Sequence, residues 1–302
     1  MTAFELFSAI ALSIFIEAMP FLVIGALISA LIEVFVSTER LLSFIPKNLA
    51  GGLALGIGSG FLLPTCECGV VPIVGRLINK GVPPYIAIAY MLAAPIVNPV
   101  VLASTYIAFR GSFTMVLARV GLAILVAAVV GIIARSMLKV VRTKTIKDED
   151  HSLNLHHHDH SQHSLKQKIR HALIHAANEF MDMGKFLIIG AIFAAAFKTL
   201  LPENIMAVFS GNLPLSIAGM MILAILLSVC SEADAFVAAS FVGFPAASQL
   251  AFVGIGPMVD LKLIGMFSIT FSRRMVFVLI IVPIVLIFFA SWLLGSLGLM
   301  LN

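Results

Sequence analysis

Five landmarks in this sequence recur at one fixed spacing, and that recurrence constrains the fold more than any single motif does. Cys230 stands 162 residues after Cys68, Gly243 after Gly81, Pro245 after Pro83, Pro257 after Pro95 and Asp260 after Asn98. The spacing holds without a gap across the whole stretch. A cysteine pair or a proline pair alone would carry little information. Five in register indicate an internal duplication, and duplicated membrane chains are often transporters.

The two copies are set in apolar sequence. Hydrophobic residues make up 61% of the chain and charged residues 11%, against about 25% charged in soluble domains, which excludes a soluble globular domain. Several apolar runs reach the roughly 20 residues that a helix needs to cross a bilayer. The net charge is +4, but the cations lie mostly beside apolar runs, where they set membrane orientation rather than bind nucleic acid. The first apolar run, 6–35, is too long for a signal peptide's apolar region and lacks a basic flank. Three cysteines do not make a disulfide framework.

The expected fold is an all-α polytopic membrane protein, built from two inverted repeats of about five transmembrane or re-entrant segments each, with broken helices. Residues 1–138 form the first repeat, 139–170 a cytoplasmic, charged, His-rich linker, and 171–302 the second repeat. The segments of the first half are 5–36, 49–65, 69–80, 84–110 and 112–138. Those of the second are 182–200, 213–229, 231–242, 245–271 and 275–299. Two fused halves with an odd number of crossings must be inverted relative to one another. With the linker in the cytoplasm, Arg40, Lys47, Arg76, Lys80, Arg135, Lys139, Arg142, Arg273 and Arg274 fall at cytoplasmic ends, and only Arg110, Arg119 and Lys198 lie toward the outside. Residues 69–94 and 231–256 have a re-entrant alternative, since irregular backbone at membrane depth is tolerated when protein buries it. The Gly-rich stretch 49–65 is expected to be central, because small residues let helix backbones approach closely.

The chemistry-bearing residues cluster at the duplicated landmarks. Cys66-Glu67-Cys68 puts two thiols around a carboxylate, and thiolates select soft, thiophilic species. Residues i and i+2 do not share a helical face, so both thiols reach one ligand only where the helix unwinds. Pro64, Gly69 and Pro72 are expected to supply that disruption. Cys230 completes a three-sulfur site if the repeats pack face to face; the alternative is that it fills space like any small apolar residue. Glu232, Asp234 and Asp260 lie in or beside apolar sequence, where a charge is costly and usually functional or paired, and they are candidates for proton or cation coupling. Glu17 and Glu179 lie in similar surroundings but suit a wet interface. For Asp260 the plainer reading is a local ion pair with Lys262. Pro95 and Asn98, in Pro95-Ile96-Val97-Asn98-Pro99, mark a helix break of the kind that exposes half-helix ends to a substrate; a purely structural kink is the alternative. His156, His157, His158 and His160 form a metal-attracting tract by composition, or else a solvated linker.

The sequence around Cys66-Glu67-Cys68-Gly69-Val70-Val71-Pro72 and Ala94-Pro95-Ile96-Val97-Asn98-Pro99 resembles the bacterial YraQ-like predicted permeases. Cys230-Ser231-Glu232-Ala233-Asp234-Ala235-Phe236 and Gly256-Pro257-Met258-Val259-Asp260 resemble that family's second-half motifs. The resemblance covers nearly all of the chain except the linker. It implies a multi-pass plasma-membrane permease, in a family that includes permeases for trivalent organoarsenicals. The expected function is a secondary transporter, with efflux of a thiophilic metal, metalloid or organometalloid as the specific form, and with the bilayer and a small-molecule or ion substrate as partners. Two alternatives stand beside it. One is a membrane subunit that works with a partner membrane or extracellular protein. The other is an intramembrane cysteine enzyme, disfavoured because no histidine stands near the cysteines to act as base. No cofactor is expected, and the absence of a G-x-x-x-x-G-K-[ST] loop argues against ATP hydrolysis.

Overall fold

The computed structural model of the protein describes residues 48–62, 65, 67–137, 212–241 and 243–298, together with 45, 46 and scattered helical positions between 5 and 27 and between 170 and 195. Glu17, Cys66, Glu179 and the whole linker with His156, His157, His158 and His160 lie outside the described residues; of Cys68 only the backbone is described. The continuously described elements are all helices: α1 Leu49–Leu62, α2 Glu67–Asn79, α3 Pro84–Ala93, α4 Pro99–Ala108 and α5 Phe113–Ser136 in the first half, then α6 Leu213–Leu227, α7 Asp234–Ser240, α8 Ala246–Ile255, α9 Leu261–Thr270 and α10 Arg273–Ser296 in the second.

The repeat spacing reappears in the helix boundaries. α3 and α8 cover 84–93 and 246–255, and α4 and α9 cover 99–108 and 261–270, each pair displaced by the same 162 residues. The breaks between them carry matching hydrogen bonds. Ile96 and Val97 donate to the Ala93 carbonyl, as Met258 and Val259 donate to that of Ile255. A ten-residue helix rises only about 15 Å, half the thickness of a hydrocarbon core. Each of these broken pairs therefore has the length of a single crossing interrupted at its middle. The breaks end in caps of one design: the Asn98 side chain accepts from Val100 N at 2.9 Å, and that of Asp260 from Leu263 N at 2.6 Å.

α5 and α10, of 24 residues each, are long and apolar enough to cross a membrane. On α10, Met275, Leu279, Pro283, Ile287 and Ser291 face inward, while Phe277, Ile281, Val285, Phe289 and Leu293 are exposed. Both stripes repeat every four residues and nearly all of both is apolar. A wholly apolar outer face suits lipid and not water. α1 packs against α3 through glycines at the same interval: an added Cβ would lie 2.7 Å from the Tyr85 hydroxyl at Gly52, 2.6 Å from the Ile86 carbonyl oxygen at Gly56 and 2.6 Å from Ala94 Cα at Gly60.

The halves meet through reciprocal contacts. α2 packs on α9, and their counterparts α7 and α4 pack on each other, while the counterparts α5 and α10 pack together directly.

Two expectations need correction. α2 runs unbroken from Glu67 through Pro72, so Gly69 and Pro72 do not unwind the chain. Pro72 is the sixth residue of the helix, where its missing N–H removes only the bond to the Cys68 carbonyl. The buried Val70, Val71, Ile73 and Val74 hold the turn through packing. The expected segment 231–242 contracts to the seven-residue α7, since Ala233 and Asp234 both turn back to the Cys230 carbonyl. Arg119 is completely buried in α5.

Candidate functional site

Among the described residues, five charged side chains lie buried where the two halves meet. Glu67 opens α2 and Asp234 opens α7, so each carboxylate sits at the positive end of a helix dipole. Lys262 stands in the first turn of α9, two residues after the Asp260 cap. Arg119 projects from α5. None of the five is more than 1% exposed.

Their partners are specific. Arg119 Nη2 meets Asp234 Oδ2 at 2.7 Å and donates to the Ser231 carbonyl at 3.3 Å, while Nη1 donates to Thr105 Oγ1 at 2.7 Å. Thr105 in turn donates to the Val101 carbonyl at 2.7 Å. The Ser231 hydroxyl donates to Glu67 Oε2 at 3.1 Å. Lys262 Nζ lies 3.6 Å from Glu67 Oε1 and 3.4 Å from Asp260 Oδ2. Ser231 thus joins the two charge groups, with its hydroxyl on Glu67 and its carbonyl on Arg119. Four of these links cross between the halves: Glu67 to Ser231, Glu67 to Lys262, Arg119 to Asp234 and Arg119 to Ser231. Buried charges on this scale persist only when paired.

Of the residues singled out in the sequence, Glu67, Asp234 and Asp260 are brought into this network. Cys230 is buried beside Ser231, and Glu232 is half-buried on the turn ahead of α7. Pro95 is buried in the break before α4, and the Asn98 side chain serves as its cap. Thr65, next to the thiol segment, is tied to Tyr90 of α3 by a 3.2 Å hydroxyl–hydroxyl bond. Among the described residues no group of three or more His, Cys, Asp or Glu side chains is arranged to hold a metal ion.

Arg119, Lys262, Ser231 and Thr105 were not among the sequence candidates. Arg119 did carry a signal: a cation inside a 24-residue apolar run faces a protein interior or water. Lys262 was noted only as a local partner of Asp260, and that pair is present, with Glu67 as a further partner from the other half.

A family model described as "Predicted permease", ArsP_1, matches residues 3–296. The chain belongs to this family. It is a helical membrane protein of the permease class, and the family is not one of enzymes. The protein is 41% identical over 293 residues to "UPF0718 protein YcgR" of Bacillus subtilis (strain 168), covering 97% of this chain and 98% of that one. It is also 41% identical over 269 residues to the "Putative two-component membrane permease complex subunit" of Streptococcus mutans, covering 89% of this chain and 88% of that one. No solved structure matches the chain.

Proposed function

We propose that this permease is a secondary transporter of the bacterial plasma membrane that exports a thiophilic metal, metalloid or organometalloid. The substrate path would lie between two inverted repeats, 1–138 and 171–302, with 139–170 as a cytoplasmic linker. The observation that carries the reading is the buried charge network whose links run from one half to the other. Intramembrane charges of this kind mark substrate and ion pathways, and a site shared by two repeats is where alternating access needs one. Reciprocal packing of α2 on α9 and of α7 on α4 supports a two-fold relation, since such interfaces exchange equivalent partners. The odd number of segments per half read from the sequence would place that axis in the membrane plane.

In this reading the thiol segment, Cys66-Glu67-Cys68, supplies soft ligands to the cargo, with Cys230 approaching from the other half. Pro95 and Asn98, with Glu232, Asp234 and Asp260, line the same path. The His156 to His160 tract would gather metal at the cytoplasmic side. The name of the streptococcal relative favours a second reading, in which the chain transports only with a partner subunit. A deletion strain, complemented by the chain alone, separates the two. Restored tolerance and lowered accumulation across a panel of metals and metalloids supports the single-chain transporter. Restoration only on co-expression of a neighbouring membrane or extracellular protein supports the subunit.

A further inference from the structure

The ion pair between Arg119 and Asp234 is half made. Nε and Nη2 form one edge of a guanidinium, the edge that a carboxylate commonly grips with both oxygens. Here Nη2 meets Asp234 Oδ2 at 2.7 Å, but Arg119 Nε and Asp234 Oδ1 have no hydrogen-bond partner among the described residues. One donor and one acceptor are left on a single pair. Its side chains are 0% and 1% exposed, and a buried polar group without a partner is costly. Nη1 donates to Thr105 Oγ1 at 2.7 Å and Nη2 also donates to the Ser231 carbonyl at 3.3 Å, so the guanidinium is held where it is and does not turn to close the fork. A hydroxyl fits both openings with one oxygen, accepting from Nε and donating to Oδ1. A bare metal cation accepts nothing from Nε and is repelled by the guanidinium.

We propose that Arg119 and Asp234 bind one hydroxyl of the cargo, a neutral, hydroxyl-bearing trivalent metalloid species. The inference rests on the reading of this chain as a transporter of thiophilic cargo, and it names the polar half of that recognition. The soft half stands close by: Asp234 N donates to the Cys230 carbonyl at 2.9 Å. With a cargo of the form R–As(OH)2, the Cys230 thiol displaces one hydroxyl. One As–O bond breaks, one As–S bond forms, the thiol proton leaves with the displaced hydroxyl as water, and arsenic stays trivalent. The second hydroxyl remains for the fork. Gly256, at the break before α9, keeps the flank of the carboxylate clear: an added Cβ would lie 3.9 Å from Asp234 Oδ2.

A pair of probes isolates that hydroxyl. Methylarsonous acid, CH3As(OH)2, and dimethylarsinous acid, (CH3)2AsOH, differ by a hydroxyl in place of a methyl of similar size. After exchange with one thiol, only the first keeps a hydroxyl. The chain has three cysteines, so Cys66→Ser with Cys68→Ser leaves Cys230 alone and rules out chelation by two thiols.

The test is equilibrium binding of each probe to the purified full-length chain in detergent, with bound arsenic measured by mass spectrometry. The chain that keeps only Cys230 should bind methylarsonous acid at least about tenfold more tightly than dimethylarsinous acid, because an analogue lacking the hydroxyl leaves the buried fork unpaired. Adding Arg119→Lys, which keeps the cation but not the second nitrogen on that edge, should bring the ratio close to one. Arg119→Met with Asp234→Leu should do the same, and its matched apolar pair guards against a misfolded lysine variant. Equal affinities before the fork is touched, or a ratio that both sets of variants leave intact, overturn the proposal and leave the fork to a water molecule. Binding of neither probe overturns it as well. Preference in binding without transport in vesicles would leave the site standing and remove the transporter reading; transport of both probes without preference would do the reverse.

Discussion

Arg119 shows how much a single residue sets in this molecule. Fully buried in α5, it reaches Asp234, Ser231 and Thr105. Arg119→Met leaves Asp234 buried and unpaired, which is expected to lower stability by about 3–5 kcal/mol, read as a drop in Tm in detergent. Adding Asp234→Leu should recover most of that loss, because a matched apolar pair replaces a matched charge pair. A single variant as stable as the wild type would show that the pair is not desolvated. Asp260 lets charge and cap be separated. Asn is as good an N-cap as Asp, so Asp260→Asn keeps the bond to Leu263 N while removing the charge; Asp260→Ala loses both and should be about 1 kcal/mol less stable. Such roles were only partly legible in the sequence. Glu67, Asp234 and Asp260 stood out because acids are rare in apolar runs. The partnership of Arg119 with Asp234 spans 115 residues, and that of Ser231 with Glu67 spans 164, distances that no local pattern encodes.

At the scale of elements, α1 is defined by one face. Gly52, Gly56 and Gly60 lie against α3, whereas Gly58 faces open space. Gly56→Leu should destabilise by about 1–3 kcal/mol through overpacking, and Gly58→Ala should leave Tm unchanged within error or raise it slightly. Equal effects at the two positions would contradict the α1–α3 contact. The glycine stripe and the breaks at 94–98 and 256–260 were legible because Gly and Pro act on the backbone directly. The extent of α7 was not, since Cys230-Ser231-Glu232-Ala233 reads much like the helix that follows it and folds as a turn only in its tertiary setting. The inward face of α10 was equally hidden, because its lipid-facing and protein-facing stripes are both apolar. Pro72 misled for a related reason: a proline early in a helix removes one bond and does not end it.

For the whole molecule, the proposed inversion makes a geometric prediction. The turns after α4 and after α9 should open on opposite sides of the membrane. Single cysteines at Gly111 and Ser272, in a chain otherwise lacking cysteine, should then differ in labelling by an impermeant thiol reagent applied to intact cells; labelling of both from one side would place the repeat axis along the membrane normal. The duplication itself was legible as landmarks 162 residues apart, because the same breaks serve both halves. How the halves join was not, because reciprocal packing depends on contacts between distant elements. Whether the interface between those halves carries the cargo is decided by transport itself. In everted vesicles energised by respiration, the full-length protein is expected to accumulate a trivalent aromatic arsenical. Cys66→Ser combined with Cys68→Ser should cut that accumulation by about tenfold or more, because hydroxyls are poor ligands for soft species. Undiminished accumulation by the double variant would remove the thiols from the mechanism and leave them as packing residues.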